Sequence, residues 1–242
     1  MGIATLVRKL DRWAEVRRKF GLRAALAGLV DRLANRLVDL KVAHVVWLEV
    51  ERLDDSLQPD PGLTFRFLSA AEVRGFSADP QNWLDPALGD GIEAGTNLCF
   101  AALSGDRLAA FGWYALGRIE AEHSGGTPLA YPPNAAYMYH GFTHPDFRGR
   151  RLHGLIMGLG LRALETYGVT RLVSTVEWTN WASLRSCFRL GYISLGRTVV
   201  LRCGRFHLAR YPRTAKRLGV RFGKNALAHT DAARPCPEHA VA

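Results

Sequence analysis

The densest chemistry in this 242-residue sequence is a short basic run, His144-Pro145-Asp146-Phe147-Arg148-Gly149-Arg150-Arg151-Leu152-His153-Gly154. Three arginines within four residues stand around a glycine, between an apolar strand-like run at 136–143 and apolar residues at helical spacing over 154–167. A turn that enters a helix points backbone N–H groups outward, and the helix dipole favours an anion there. A pyrophosphate fits both the amides and the arginines; a solvated basic surface is the plainer reading. A second run, Asn180-Trp181-Ala182-Ser183-Leu184-Arg185-Ser186-Cys187-Phe188-Arg189-Leu190-Gly191-Tyr192, follows the next strand-like stretch at 171–177. Leu184, Cys187 and Phe188 share a helical stripe, and Gly191 suits the end of that helix. Cys99, Cys187, Cys203 and Cys236 lack metal-ligand spacing, so they read as reduced thiols of a cytosolic protein, and no metal is expected. No Ser-His-Asp arrangement stands out.

The elements that must hold these runs follow from hydrophobic periodicity. Residues 44–50 and 63–68 read as strands, with a turn at Asp60-Pro61-Gly62 and a helix starting after Ser69. Residues 76–96 read as loop. Apolar runs 97–103 and 108–116, separated by Ser104-Gly105-Asp106-Arg107, predict a hairpin, and 119–134 is a long loop rich in Gly and Pro. Residues 192–210 suggest a last strand pair around Cys203-Gly204-Arg205. The order of strands and helices predicts an α/β domain built on one mixed sheet, spanning 43–210. Residues 1–42 precede it as amphipathic basic helices, and 211–242 follow as a basic tail, poorly ordered past about 225.

At the two runs the chain resembles the GNAT superfamily of N-acyltransferases. The family pattern V-x-P-x-[FY]-R-G-x-G-[IL]-[GY] stands here as Thr143 to His153, and N-x-x-[AS]-[IL]-x-x-[YF]-x-x-x-G-[FY] is matched by Asn180, Ser183, Leu184, Gly191 and Tyr192. One helix and one strand separate them, as in the family, and the resemblance covers roughly 63–203. It implies a mostly antiparallel central sheet flanked by helices. It also implies acetyl-CoA or a longer acyl-CoA as co-substrate. The loop Arg148, Gly149, Arg150, Arg151, Leu152, His153 and Gly154 would wrap the pyrophosphate. Phe142 and Thr143 would pair with the pantetheine arm, and Asn180 and Ser183 would stand beside it. The sequence departs from the pattern at three places. Arg151 replaces the middle glycine, His153 the last glycine or tyrosine, and Cys187 the tyrosine that serves many members as an acid.

The reaction implied is direct attack of a small-molecule amine on the thioester, which needs a proton acceptor. His140 and Glu177 are the candidates, with Tyr137 and Tyr139 as relays; Tyr137 falls where some members carry a glutamate base. Each also has a purely structural reading, His140 as a strand histidine and Glu177 as a surface carboxylate. Glu120 and Glu122 in the long loop would suit a cationic acceptor. Two other readings stand beside this one: a non-catalytic acyl-CoA-binding or regulatory module, because the motifs are eroded, and a nucleic-acid binder.

The net charge of +10 bears on the last. Residues 1–42 hold ten Lys/Arg against four Asp/Glu, and 202–242 hold nine against two. These are +6 and +7, which leaves the middle at −3. The basic charge therefore sits outside the expected catalytic part, which argues against nucleic acid. Residues 3–20 and 22–41 carry apolar stripes beside basic faces. They suit an anionic membrane surface, as a peripheral protein on the cytoplasmic side, or pack on each other or on the core. A homodimer is a further expectation. No apolar run approaches the roughly 20 residues of a membrane span.

Overall fold

The computed structural model describes residues 13–54, 58–124, 126–223 and 226. Residues 13–20 are helical (α1), and the first ten residues of the expected stripe, 3–12, lie outside the described residues. The order continues α2 (Leu22–Leu37), β1 (Asp39–Glu49), β2 (Thr64–Leu68), α3 (Ala70–Ser77), α4 (Gly89–Glu93), β3 (Asn97–Ser104) and β4 (Arg107–Leu116). Then come β5 (Arg118–Ile119), β6 (Leu129–Ala130), β7 (Ala135–Thr143), α5 (Leu152–Leu164), β8 (Arg171–Glu177) and α6 (Trp181–Arg189). The chain ends in β9 (Ile193–Cys203), β10 (Phe206–Arg210), α7 (Arg213–Arg217) and β11 (Arg221–Phe222).

Eight strands form one sheet in the order β10-β9-β1-β8-β7-β4-β3-β2. Every neighbouring pair is antiparallel except β7 and β8. The α/β class and the mostly antiparallel sheet are therefore as the sequence predicts. The place of β1 is not evident from the chain order. It lies in the middle, antiparallel to both β8 and β9, and Val45, Val46, Trp47 and Leu48 are buried in succession. A strand covered on both faces needs such an unbroken apolar run.

Alternate residues of the sheet feed two cores. On one face Val46, Leu48, Ala110 and Tyr114 pack with Ile156, Leu161 and Leu164 of α5 and Leu184 and Cys187 of α6. Val45, Trp47, Trp113 and Tyr137 face the other core, with Val73 of α3 and Ala215 of α7. The start of α3 is fixed by a capping box: Ser69 Oγ accepts from Glu72 N, and the Glu72 carboxylate accepts from Ser69 N. Helix α5 comes close to the sheet because Gly160 has no side chain. There the Tyr114 hydroxyl donates to the carbonyl of Ile156 at 2.7 Å.

Two expectations change. The expected basic tail begins folded. Residues 211–223 hold α7 and β11, Ala215 and Val220 are fully buried, and β11 joins β5 and β6 in a small second sheet. Residues 227–242 lie outside the described residues. The long loop at 119–134 is also not structureless, since it contributes β5 and β6 to that sheet.

Candidate active site

The central strands part in the middle of the sheet. β7 and β8 are paired in parallel only at Ala135–Arg171, Ala136–Leu172 and Tyr137–Val173. Beyond them β7 is turned by a bulge. Trp113 of β4 opposes Tyr139 and Phe111 opposes Phe142, so one residue of β4 spans two of β7, His140 and Gly141. His140 takes φ +46, a left-handed conformation that is rare outside glycine. At the crotch the Ser174 hydroxyl donates to the carbonyl of Met138 at 2.9 Å.

Tyr137 closes the same crotch on the other face. Thr175 Oγ1 donates to the carbonyl of Ser124, so the 2.5 Å contact between the two hydroxyls has Tyr137 as donor. Tyr137 Oη also accepts from Thr175 N at 3.1 Å. Both hydrogen-bonding capacities of the Tyr137 hydroxyl are thus engaged on β8, and burial pushes its pKa up to about 12. That arrangement is structural; it leaves no free group for a proton relay.

The basic loop runs from the end of β7 into α5. Phe147 is buried between two guanidinium groups, of Arg107 and Arg150. Arg107 binds Asp146 at 2.6 Å, and Arg150 binds Asp60 at 2.5 Å. Arg150 therefore ties the loop to the turn before β2, and holds the Asp60 carboxyl below the usual carboxylate range. The exposed side chains of Arg148 and Arg151 form no ion pair among the described residues. Arg148 Nε donates to Thr143 O at 3.4 Å. Gly149 takes φ +85 and Arg151 φ +58. Arg151 thus adopts a left-handed conformation that glycine takes more readily. No side chain caps the start of α5, and its first turn holds no acidic residue. Gly154 N donates to Arg151 O at 3.0 Å, which leaves the amides of Leu152 and His153 to meet an anion.

His153 is directed differently from the expectation. Its ring is turned inward from the first turn of α5, and Nδ1 lies 3.1 Å from Ser186 Oγ of α6. A Cβ added to Gly141 would stand 3.1 Å from His153 Nε2, so the ring lies against the bulge of β7. Burial lowers its pKa, which keeps the imidazole neutral. The imidazole fills the space among α5, α6 and β7 and does not face an anion at the loop surface. On α6, Asn180 is the N-cap and its Oδ1 accepts from Ser183 N at 3.2 Å. Cys187 is buried, and desolvation pushes its pKa up to about 12. Proton transfer from such a thiol to an ordinary thiolate, near pKa 8.5, is uphill. The thiol is therefore unsuited to the acid role. The Tyr192 hydroxyl is buried beside Cys187 and Ser174, and burial raises its pKa.

On the opposite face of the sheet lies a pocket of about 460 Å³, lined by Asn97, Arg118, Glu120, Glu122, His123 and Tyr139, among others. Tyr139 Oη donates to Asn97 Oδ1 at 3.0 Å. The ring of His123 lies 5.2 Å from that of Tyr139 and 5.4 Å from that of His140. His140 has its pKa lowered, first by burial and then by His123, with Asp85 opposing. Trp83, largely exposed and itself at φ +53, stacks on Phe142. Glu177 is elsewhere. It lines a separate hollow with Asp31, Asn35 and Trp178 beneath α2. The bulge thus sets the exposed ring of His140 against His123 of the pocket wall, and not against Glu177. His123, Asn97, Asp85 and Trp83 were not singled out from the sequence; a positive φ leaves no mark in a single sequence.

A parted parallel strand pair, with an uncapped helix start at its mouth, sits at the centre of this α/β fold. Solved structures place it more closely. The GCN5-related N-acetyltransferase from Kribbella flavida superposes with a TM-score of 0.50, at 17% identity over 76% of this chain and 67% of its own. The GCN5-related glucosamine N-acetyltransferase region of a fungal multi-domain β-N-acetylglucosaminidase gives 0.50 at 14% identity, over 76% of this chain and 23% of that one. A GNAT-family chain from Novosphingobium aromaticivorans gives 0.45 at 17% identity over 67% of this chain. This chain spans 64% of that structure's length, less than two thirds. No protein-family model matches the sequence, and no curated protein matches it. The likeness to the first two is one of fold: the chain has the GNAT fold.

Proposed function

We propose that the chain is an acyl-CoA-dependent N-acyltransferase acting on a small amine. One observation carries the reading: the opening between β7 and β8 ends at the uncapped start of α5, flanked by Arg148 and Arg151. The residues present fit an acyl-CoA. The amides of Leu152 and His153, with Arg148 and Arg151, would hold the pyrophosphate, and the parted edge of β7 at Phe142 and Thr143 would pair with the extended pantetheine arm. The acceptor amine would enter from the pocket on the other face, where Glu120 and Glu122 favour a cationic molecule. The amine nitrogen attacks the thioester carbonyl, its proton passes to His140, and the C–S bond breaks to release the CoA thiolate. His140 suits the role because its lowered pKa leaves it neutral near pH 7.

A second reading is a binding module that holds acyl-CoA without turning it over. The His153–Ser186 contact favours it, since it joins α5 to α6 beside the bulge. One experiment separates the two. Thiol release from acetyl-CoA would be followed against a panel of amines, alongside melting with CoA alone. Turnover supports the transferase, and a CoA-dependent rise in melting temperature without turnover supports the module. Arg148→Glu is expected to abolish the CoA-dependent rise; an unchanged rise would remove the loop from the site.

A further inference from the structure

We infer that α2 docks the protein onto an anionic lipid surface, laying its leucines into the bilayer interface. Helix α2 is mounted with its apolar side outward. Leu22, Leu26, Leu29, Val30, Leu33 and Leu37 are between 43% and 85% exposed. At about 100° per residue they fall on one arc of the helix. The inward side is small and polar. Ala24 and Ala25 are buried, Asp31 accepts from Trp178 Nε1 at 2.9 Å, and Asn35 Oδ1 accepts from Leu40 N. These bonds fix the roll of the helix, so the leucines cannot turn inward without breaking them. Trp13 and Val16 of α1 line the hollow against that same inner side, which leaves the outer arc uncovered by α1.

Charge selects the occupant. On the same wheel Arg23 falls on one margin of the leucine arc and Arg36 on the other, and both are exposed. The one acidic residue of α2, Asp31, points to the body. Arginine stems at the edge of an apolar arc can lie along the interface with their charges among anionic headgroups. A second copy of this chain fits less well, because two facing arcs would set arginine margin against arginine margin. A further patch lies on the same side of the sheet. Leu208 of β10 pairs with Leu201, which pairs with Leu40, so the three share a face. Phe206 and Leu208 are more than half exposed there. Among the described residues no helix is long and apolar enough to cross a membrane, so the contact is peripheral.

The test is co-sedimentation of the full chain with vesicles of phosphatidylcholine alone or mixed with phosphatidylglycerol. The wild type is expected to pellet with the mixed vesicles only, and to be released by salt. Leu26→Gln/Leu29→Gln/Leu33→Gln should weaken binding about tenfold or more. Arg23→Gln/Arg36→Gln should weaken it by about fivefold for each charge removed. Because these side chains are exposed, both variants should keep the wild-type circular dichroism and melting temperature. Leu37→Glu, at the helix end, gives the same comparison if the triple variant misfolds. The proposal is overturned if wild type stays in the supernatant, or if the leucine variants bind as wild type does. A leucine-dependent dimer in sedimentation, without vesicle binding, would assign the arc to a second copy instead.

Discussion

His140 shows how backbone shape decides a side chain's chemistry. In a regular strand its ring would alternate with its neighbours across the sheet. The bulge and the left-handed φ place it instead against His123, beside the pocket. Partial desolvation and the neighbouring imidazole both disfavour its charged form, although the ring keeps an exposed edge. A base of this kind is active when neutral, so kcat/KM should rise with pH on an acid limb whose midpoint lies below the ordinary histidine value of about 6.5. His140→Gln should abolish that limb and lower kcat by roughly a hundredfold or more; a pH profile of both proteins checks it. The residue types of the loop were legible in the sequence, but their individual tasks were not. Arg150 is engaged by Asp60, ninety positions earlier, while Arg148 and Arg151 form no ion pair among the described residues. No local pattern announces a partner that distant.

The same contrast holds for the elements. The hairpin of β3 and β4, the strand β8 and the helices α5 and α6 fall where apolar periodicity and turn residues put them. Helix α5 shows what the pattern does not say. Its glycine at 160 reads as a weak point in a helix, yet it allows Tyr114 to reach the carbonyl of Ile156. An alanine there would place its Cβ on the Tyr114 hydroxyl and 2.9 Å from Tyr114 Cζ. Gly160→Ala should therefore destabilise the fold by about 1–3 kcal/mol in spite of its better helix propensity, which urea unfolding measures. Helix α2 is the opposite case. The leucine stripe is plain in the sequence, and a stripe usually marks the buried side. Here Ala24, Ala25 and Asp31 face the body, because Trp178 offers a donor that leucine cannot accept.

For the whole molecule, the decisive feature is the position of β1. The chain reads as an N-terminal appendage followed by a catalytic domain beginning near residue 43, but β1 starts at Asp39 and completes the middle of the sheet. Removing residues 1–49 would leave β8 and β9 without their shared partner and open both cores. That protein should show no cooperative unfolding. Removing residues 1–37 should leave a cooperative transition at lower temperature, since only the contacts of α1 and α2 are lost. Thermal denaturation followed by circular dichroism separates the two outcomes.

The sequence by itself determined the class of fold, the order of most elements and the place of the basic loop, because each is written locally, in hydrophobic period, turn residues and clustered charge. The tertiary structure alone decided which strand fills the middle of the sheet, where β7 and β8 part, and that His153 turns inward while His140 turns to His123. It also decided that α2 shows its leucines to the outside. These depend on pairings between residues far apart in the chain, such as Leu48 with Leu172, Arg150 with Asp60 and Trp178 with Asp31. Their energies arise only once the chain has closed upon itself.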